Sequence, residues 1–277
     1  MARGSGRRDR QPPVLKKFGQ HFLSDQEILS AIVDALGPTP LDTVVEVGPG
    51  RGSLTEILVE RSGRVVAVEI DRTLAAQLRE KYRERPNVEI VEGDFLETDL
   101  AALAGPDFLL IGNVPYYITT PIIFKALEPP IPARSVFLVQ REVAERMAAE
   151  PDTESYGALS VNIAAVANVD QVLTVPASAF RPPPKVESAV VRLTPRAQPL
   201  VALESLDAFR TFIQATFGLR RKQMVRVLRT IRGLSAERAG ELLKRTGIEP
   251  SARPEVVSPQ TFAKLFEILE ALNLPDC

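Results

Sequence analysis

The chain has 277 residues, 45% hydrophobic and 25% charged, an ordinary composition for a folded protein with a large core and room for a smaller second unit. Its only cysteine, Cys277, and its only histidine, His21, exclude an internal disulfide and a Cys/His zinc site, count against a Cys–His nucleophile pair, and fit a reducing compartment. No apolar run approaches the roughly 20 residues that a membrane span needs, and the net charge of −1 does not by itself point to a polyanion.

The charges are nevertheless segregated. The first 17 residues hold Arg3, Arg7, Arg8, Arg10, Lys16 and Lys17 against Asp9. An Arg-rich, acid-poor start without an apolar signal core reads as a disordered basic tail over 1–15 in preference to a transit peptide. The first ordered element is a helix over 25–36. Ser24-Asp25-Gln26-Glu27 reads as a capping box, Ile28, Leu29, Ile32, Val33 and Leu36 recur at helical spacing, and Gly37-Pro38 ends it. Seven apolar, β-branched runs follow at 43–47, 65–69, 88–91, 108–112, 135–140, 169–174 and 188–193. Several are apolar throughout, as in strands covered on both faces, and helical patterns separate the early ones (Leu54, Ile57 and Leu58; Leu74 and Leu78). That alternation predicts a doubly wound, mostly parallel α/β sheet. Only a loop around Phe180-Arg181-Pro182-Pro183-Pro184-Lys185 separates the last two runs, so these should pair antiparallel. From about 200 the strand-like runs stop and a small helical domain is expected over 200–277. Phe209, Phe212, Ile213 and Thr216 share one helical face. Ser235 and Gly247 bracket a later helix. Ser258 and Pro259 open the last, with a stripe of Phe262, Leu265, Phe266, Leu269 and Leu272. Residues 208–236 hold Arg210, Arg220, Arg221, Lys222, Arg226, Arg229 and Arg232 and no acid. At about 100° per residue, Lys222, Arg226 and Arg229 share a face opposite Met224, Leu228 and Ile231, which suits contact with RNA phosphates.

The chemistry sits at the ends of the predicted strands. Val47-Gly48-Pro49-Gly50-Arg51-Gly52-Ser53 after the first strand is a glycine loop of the kind that presents an adenosine-bearing ligand. A dinucleotide fingerprint requires glycine or alanine where Ser53 stands, and Pro49 removes a backbone donor that a pyrophosphate would use. S-adenosylmethionine has no pyrophosphate and needs only close approach of backbone. Glu69, ending the second strand, can accept both ribose hydroxyls of either ligand. Asp94 after the third strand can accept from an adenine amino group, with Phe95 against the ring. Asn113-Val114-Pro115-Tyr116 closes the fourth strand and is the most specific signal. The lone pair of an exocyclic adenine nitrogen is delocalised into its ring. Two acceptors on that amino group, the Asn113 side-chain oxygen and the Val114 carbonyl, favour a pyramidal nitrogen aimed at a methyl donor. Tyr116 offers a stacking face for a base taken out of its helix. No histidine base is needed.

With these stretches the sequence resembles the ribosomal RNA adenine dimethyltransferases, in particular the bacterial small-subunit (16S) family, KsgA/RsmA. The resemblance is carried by residues 16–23, 46–55, 68–71, 93–95, 113–118, 139–146, 156–161, 180–191 and 217–222, almost the whole chain from Lys16. It implies a Rossmann-like S-adenosylmethionine-dependent methyltransferase, with a seven-stranded, mostly parallel sheet containing one antiparallel strand over 16–199 and an all-α C-terminal domain. It implies dimethylation at N6 of two adjacent adenines near the 3′ end of small-subunit rRNA, on an immature 30S particle, by a cytoplasmic monomer without metal. The cofactor site would hold His21, Leu23, Gly48, Gly50, Glu69, Asp94, Phe95 and Asn113. The target adenine would meet Asn113, Val114, Tyr116 and Phe180, although Phe180 also reads as a core anchor. The rRNA would meet Arg220, Arg221, Lys222, Arg226 and Arg229. Position 21 is often Asn in this family and here is His; position 114 is often Leu and here is Val. A large-subunit adenine dimethyltransferase, a nicotinamide dehydrogenase and a non-catalytic rRNA-binding assembly factor are the competing readings.

Overall fold

A computed structural model describes residues 22–272; the expected basic tail, His21 and Cys277 lie outside them. The chain opens with β1 (Phe22–Leu23) and α1 (Gln26–Leu36), then alternates: β2 (Thr43–Val47), α2 (Ser53–Arg61), β3 (Arg64–Glu69), α3 (Arg72–Lys81), β4 (Val88–Glu92), α4 (Leu100–Ala104), β5 (Leu109–Asn113), α5 (Thr119–Ala126) and β6 (Arg134–Gln140). Two helices, α6 (Arg141–Met147) and α7 (Ala158–Ala164), precede β7 (Ala167–Val175), β8 (Phe180–Arg181) and β9 (Ser188–Pro195). The remainder is helical: α8 (Leu206–Gly218), α9 (Met224–Arg232), α10 (Ala236–Thr246) and α11 (Pro259–Ala271).

Seven strands form one sheet in the order β4-β3-β2-β5-β6-β9-β7, and β9 alone runs against its neighbours β6 and β7. The seven runs of the sequence are these seven strands. β2, β3, β5 and β6 are buried along nearly their whole length, whereas the edge strand β4 is only partly covered and the edge strand β7 is largely exposed. This explains why the central strands are apolar on both faces and the edges are not. Neighbouring residues of a strand face opposite ways. Val44, Val65, Ile111 and Leu138 therefore join the apolar cluster under α1 and α2. Val45, Val66, Leu110 and Phe137 join a larger cluster on the other face, continuous with the C-terminal helices as far as Leu269.

Two local expectations need correction, and one feature is new. The cap of α1 is Asp25, not Ser24: the Asp25 carboxylate accepts from the Glu27 and Ile28 amides at 3.1 and 3.2 Å. Ser24 lies outside the helix, its amide donating to the Ala179 carbonyl at 3.3 Å. Lys222 lies in the turn before α9, so it does not belong to that helix's face. A small second sheet, β1 paired antiparallel with β8, had no strand-length run to announce it.

The C-terminal helices close as their end signals dictate. Ser235 accepts from the Arg238 amide at 3.1 Å, Gly247 adopts φ +80°, and Ser258 accepts from the Thr261 amide at 3.2 Å ahead of Pro259. Phe209 meets Phe266 edge-on at 5.3 Å, and the Tyr156 hydroxyl donates to the Val257 carbonyl at 2.7 Å. Two arginines of the acid-free stretch are spent internally. Arg210 donates to Glu128 at 2.9 Å and to the Phe124 carbonyl at 3.1 Å, and the buried Arg232 pairs with Glu270 at 3.4 Å.

Candidate active site

The strand order changes direction between β2 and β5, and in an open α/β sheet the crevice beyond the carboxyl ends of the strands at that point is where ligands bind. A pocket lies there. Leu23, Gly48, Gly50, Glu69, Asp94, Phe95, Asn113, Val114 and Tyr116 all line it, brought together from β1 and the ends of β2, β3, β4 and β5.

The glycine loop is shaped by its own backbone and by Glu69. Gly48, Gly50 and Gly52 all have positive φ (+64°, +60° and +81°), where a side chain is strained. The Gly48 amide donates to the Val68 carbonyl at 2.9 Å, extending the β2–β3 pairing into the loop. The Gly50 amide donates to one oxygen of Glu69 at 2.9 Å, and the Asp71 amide donates to the other at 2.9 Å. A Cβ at Gly52 would stand 2.8 Å from Leu78 Cδ2; the third glycine lets α2 pack closely on α3. By contrast, a Cβ at Gly48 or Gly93 would meet no atom within 4 Å. Both glycines border open space along the pocket wall.

The electrostatics select the ligand. Glu46, Glu69 and Asp94 line the pocket, and among the described lining residues there is no lysine or arginine. Such a wall suits a cationic ligand and opposes a pyrophosphate. Glu69 is pushed above the usual carboxylate range by burial, against the amides that donate to it. Asp94 also caps the short turn that follows it, accepting from the Leu96 amide at 2.9 Å. These residues fit S-adenosylmethionine, which has a sulfonium, an ammonium, a ribose diol and an adenine edge for the acids to meet.

Beyond β5, the Pro115 carbonyl accepts from the Ile118 amide at 3.1 Å and from the Thr119 hydroxyl at 3.2 Å, fixing the turn. Val114 is buried. Tyr116 is half-buried, its hydroxyl 2.6 Å from Ser188 Oγ, and burial raises its pKa against that hydrogen bond. Phe180 does not join them. It pairs with Leu23 across β1 and β8 and is 1% exposed within the cluster under α1; in this structure it is a core anchor, with no face offered to a base. Arg220, Arg221, Lys222, Arg226 and Arg229 are all exposed, in the α8–α9 turn and on α9, away from the pocket lining.

Glu46, Phe22 and Tyr117 also line the pocket, with no role assigned to them from sequence. Glu46 is buried within β2, accepts from the Thr55 hydroxyl at 2.6 Å, and is pushed up to about 7, first by burial and then by the nearby charge of Glu69. The signal was visible as an acid inside an apolar run. Phe22 reaches the pocket from β1, with the Arg51 guanidinium 4.3 Å from its ring centre. Tyr117 is 65% exposed at the rim.

Comparison with known proteins agrees with this geometry. The sequence profile of the family described as ribosomal RNA adenine dimethylase matches residues 14–271. A ribosomal RNA small subunit methyltransferase A from Geobacter metallireducens is 41% identical, covering 98% of this chain and 99% of that protein. The protein of the same name from Alkaliphilus oremlandii is 42% identical, over 90% of each chain. Among solved structures, a dimethyladenosine transferase from Plasmodium falciparum aligns with a TM-score of 0.78 at 25% identity, covering 92% of this chain and 99% of its own. The 23S rRNA methyltransferase ErmE aligns with a TM-score of 0.69 at 31% identity, covering 90% and 99%. With a methyl-donor pocket at the switch point and an Asn-Val-Pro-Tyr turn beside it, this chain belongs to the ribosomal RNA adenine dimethylase family.

Proposed function

We propose that the chain transfers methyl groups from S-adenosylmethionine to N6 of two adjacent adenines near the 3′ end of small-subunit rRNA, dimethylating each on an immature 30S particle. The observation that carries this reading is that Asn113 to Tyr116 line the same pocket as the glycine loop and Glu69. Bound there, S-adenosylmethionine supplies an electrophilic methyl group on sulfur. Glu69 accepts from the ribose hydroxyls, Asp94 from the adenine amino group, with Phe95 against that ring, while Leu23, Gly48 and Gly50 let the ligand lie close to the chain. Asn113 and the Val114 carbonyl accept from the target amino group and draw its lone pair out of the ring, and Tyr116 stacks on the base. Proximity and charge placement then lower the barrier.

Arg220, Arg221, Lys222, Arg226 and Arg229 contact rRNA phosphates. The substrate supports a cytoplasmic site of action, and among the described residues no helix is long and apolar enough to cross a membrane. The small subunit is favoured over the large because relatives named for the small subunit match at about 41% identity over nearly the full length.

The deciding experiment is incubation with labelled S-adenosylmethionine and undermethylated small subunits, followed by mapping of the labelled nucleotides. Two adjacent dimethyladenines near the 3′ end are expected. Label confined to large-subunit RNA in a parallel reaction would overturn the assignment.

A further inference from the structure

Ser188 does not line the pocket, yet its hydroxyl holds one of the pocket's aromatic walls. It is 0% exposed, and its Oγ lies 2.6 Å from the Tyr116 hydroxyl, 72 residues away in the chain. Ser188 opens β9, where it is paired with Gln140 of β6 on one side and Val175 of β7 on the other. The residue before it is tied down as well. The Arg141 amide donates to the Glu187 carbonyl at 3.1 Å, and the Arg141 guanidinium donates to the Glu187 carboxylate at 2.6 Å. Tyr116 is anchored quite differently. Its backbone belongs to a short 3-10 turn, Tyr116–Ile118, whose next residue is largely exposed. The ring is thus carried at one end by a surface turn and held at the other by an interior strand.

We propose that Ser188 is a positioning residue for methyl transfer: by holding the Tyr116 hydroxyl it fixes the tilt of the ring on which the target adenine stacks, and with it the direction in which the adenine amino group meets the methyl donor. This rests on the base-stacking role given to Tyr116 above. A misaimed base costs rate even when it is bound, because reaction requires alignment of the nitrogen with the methyl–sulfur axis. If the hydrogen bond served only to satisfy two polar groups removed from water, its loss would lower stability and leave the rate alone.

The test uses full-length enzyme, labelled S-adenosylmethionine and undermethylated small subunits, with Ser188→Ala, Tyr116→Phe, the double variant and Tyr116→Ala compared with the wild type. Ser188→Ala and Tyr116→Phe should each lower kcat about tenfold, the equivalent of one ordinary hydrogen bond. The KM for the particle should stay unchanged, because phosphate contacts dominate binding, and so should the cofactor Kd. The double variant should lose no more than either single one, because each change breaks the same bond. Tyr116→Phe removes that bond without altering the interior of the sheet, so it decides the matter if Ser188→Ala does not fold. Wild-type kcat in Tyr116→Phe, or losses that multiply in the double variant, would overturn the positioning role while leaving the stacking role standing. Wild-type kcat in Tyr116→Ala would overturn the stacking role itself.

Discussion

Glu46 shows how a single buried carboxylate leaves its mark on the whole chain. Its carboxyl titrates near 4.5 in an exposed setting and near 7 here, chiefly because burial disfavours the charged form. Between those values the folded protein keeps a proton that the unfolded chain has released. Stability is therefore greatest below about pH 4.5 as far as this group is concerned, falls as pH rises towards 7, and levels off above that, a loss of order 3 kcal/mol at pH 8. Glu69, also raised by burial, acts in the same direction. Glu46→Gln keeps an oxygen that can accept from Thr55 and removes the titration. The variant should gain thermal stability over the wild type at pH 8 and little at pH 5; parallel Tm curves across that range would refute the account. For the reaction itself, Asn113→Ala should lower methyl incorporation roughly a hundredfold or more, the scale seen when one group that meets developing charge is removed. A fully active variant would deny Asn113 its role.

Among the elements, the turn from β2 through the glycine loop to α2 is the most constrained. Gly52→Ala must place a side chain at φ +81° and push against Leu78, so it should cost about 1–2 kcal/mol from backbone strain alone, measured by denaturant unfolding. Asp25→Ala, which removes the cap of α1, should cost about 1 kcal/mol. The central strands were legible from sequence because each is covered on both faces and so reads as an unbroken apolar run. The helix ends of the C-terminal part were legible because Ser235, Gly247, Ser258 and Pro259 act through their own backbone neighbours. What was not legible depended on distant partners. Ser24 and Asp25 are both good caps; Asp25 takes the position, while the Ser24 amide donates to the distant Ala179 carbonyl. Phe180 stands in a proline-rich loop beside other motif residues, yet pairing with Leu23 turns it inward. Ser188, an unremarkable residue in sequence, gains meaning only from Tyr116. The strand-end residues of the pocket were found because the βα alternation itself delivers them to one crevice.

The molecule as a whole is bound together more tightly than the change from strands to helices near residue 200 suggests. The apolar cluster crosses that point without interruption, from Val45 and Phe137 to Phe209, Leu243 and Leu269, and the Tyr156–Val257 and Arg210–Glu128 bonds span it. The exposed arginines of the helical part are thereby held in register with the pocket. Arg226→Ala and Arg229→Ala should each reduce the slope of log affinity against log salt by about 0.7–0.9 for RNA, with cofactor affinity unaltered; an unchanged slope would remove them from the contact surface. Arg210 and Arg232, already paired internally, should instead show their loss as instability. The strand order has a last consequence. On the function proposed above, β2 to β4 on one side of the switch point carry most of what the methyl donor needs, and the turn after β5 on the other carries most of what the acceptor meets. The two halves share Asn113 at their boundary, so on that reading the choice of target can be rewritten at 114–118 while the donor half is inherited intact. For a designer, that makes the β5 turn the natural place to graft a new acceptor onto an old source of methyl groups.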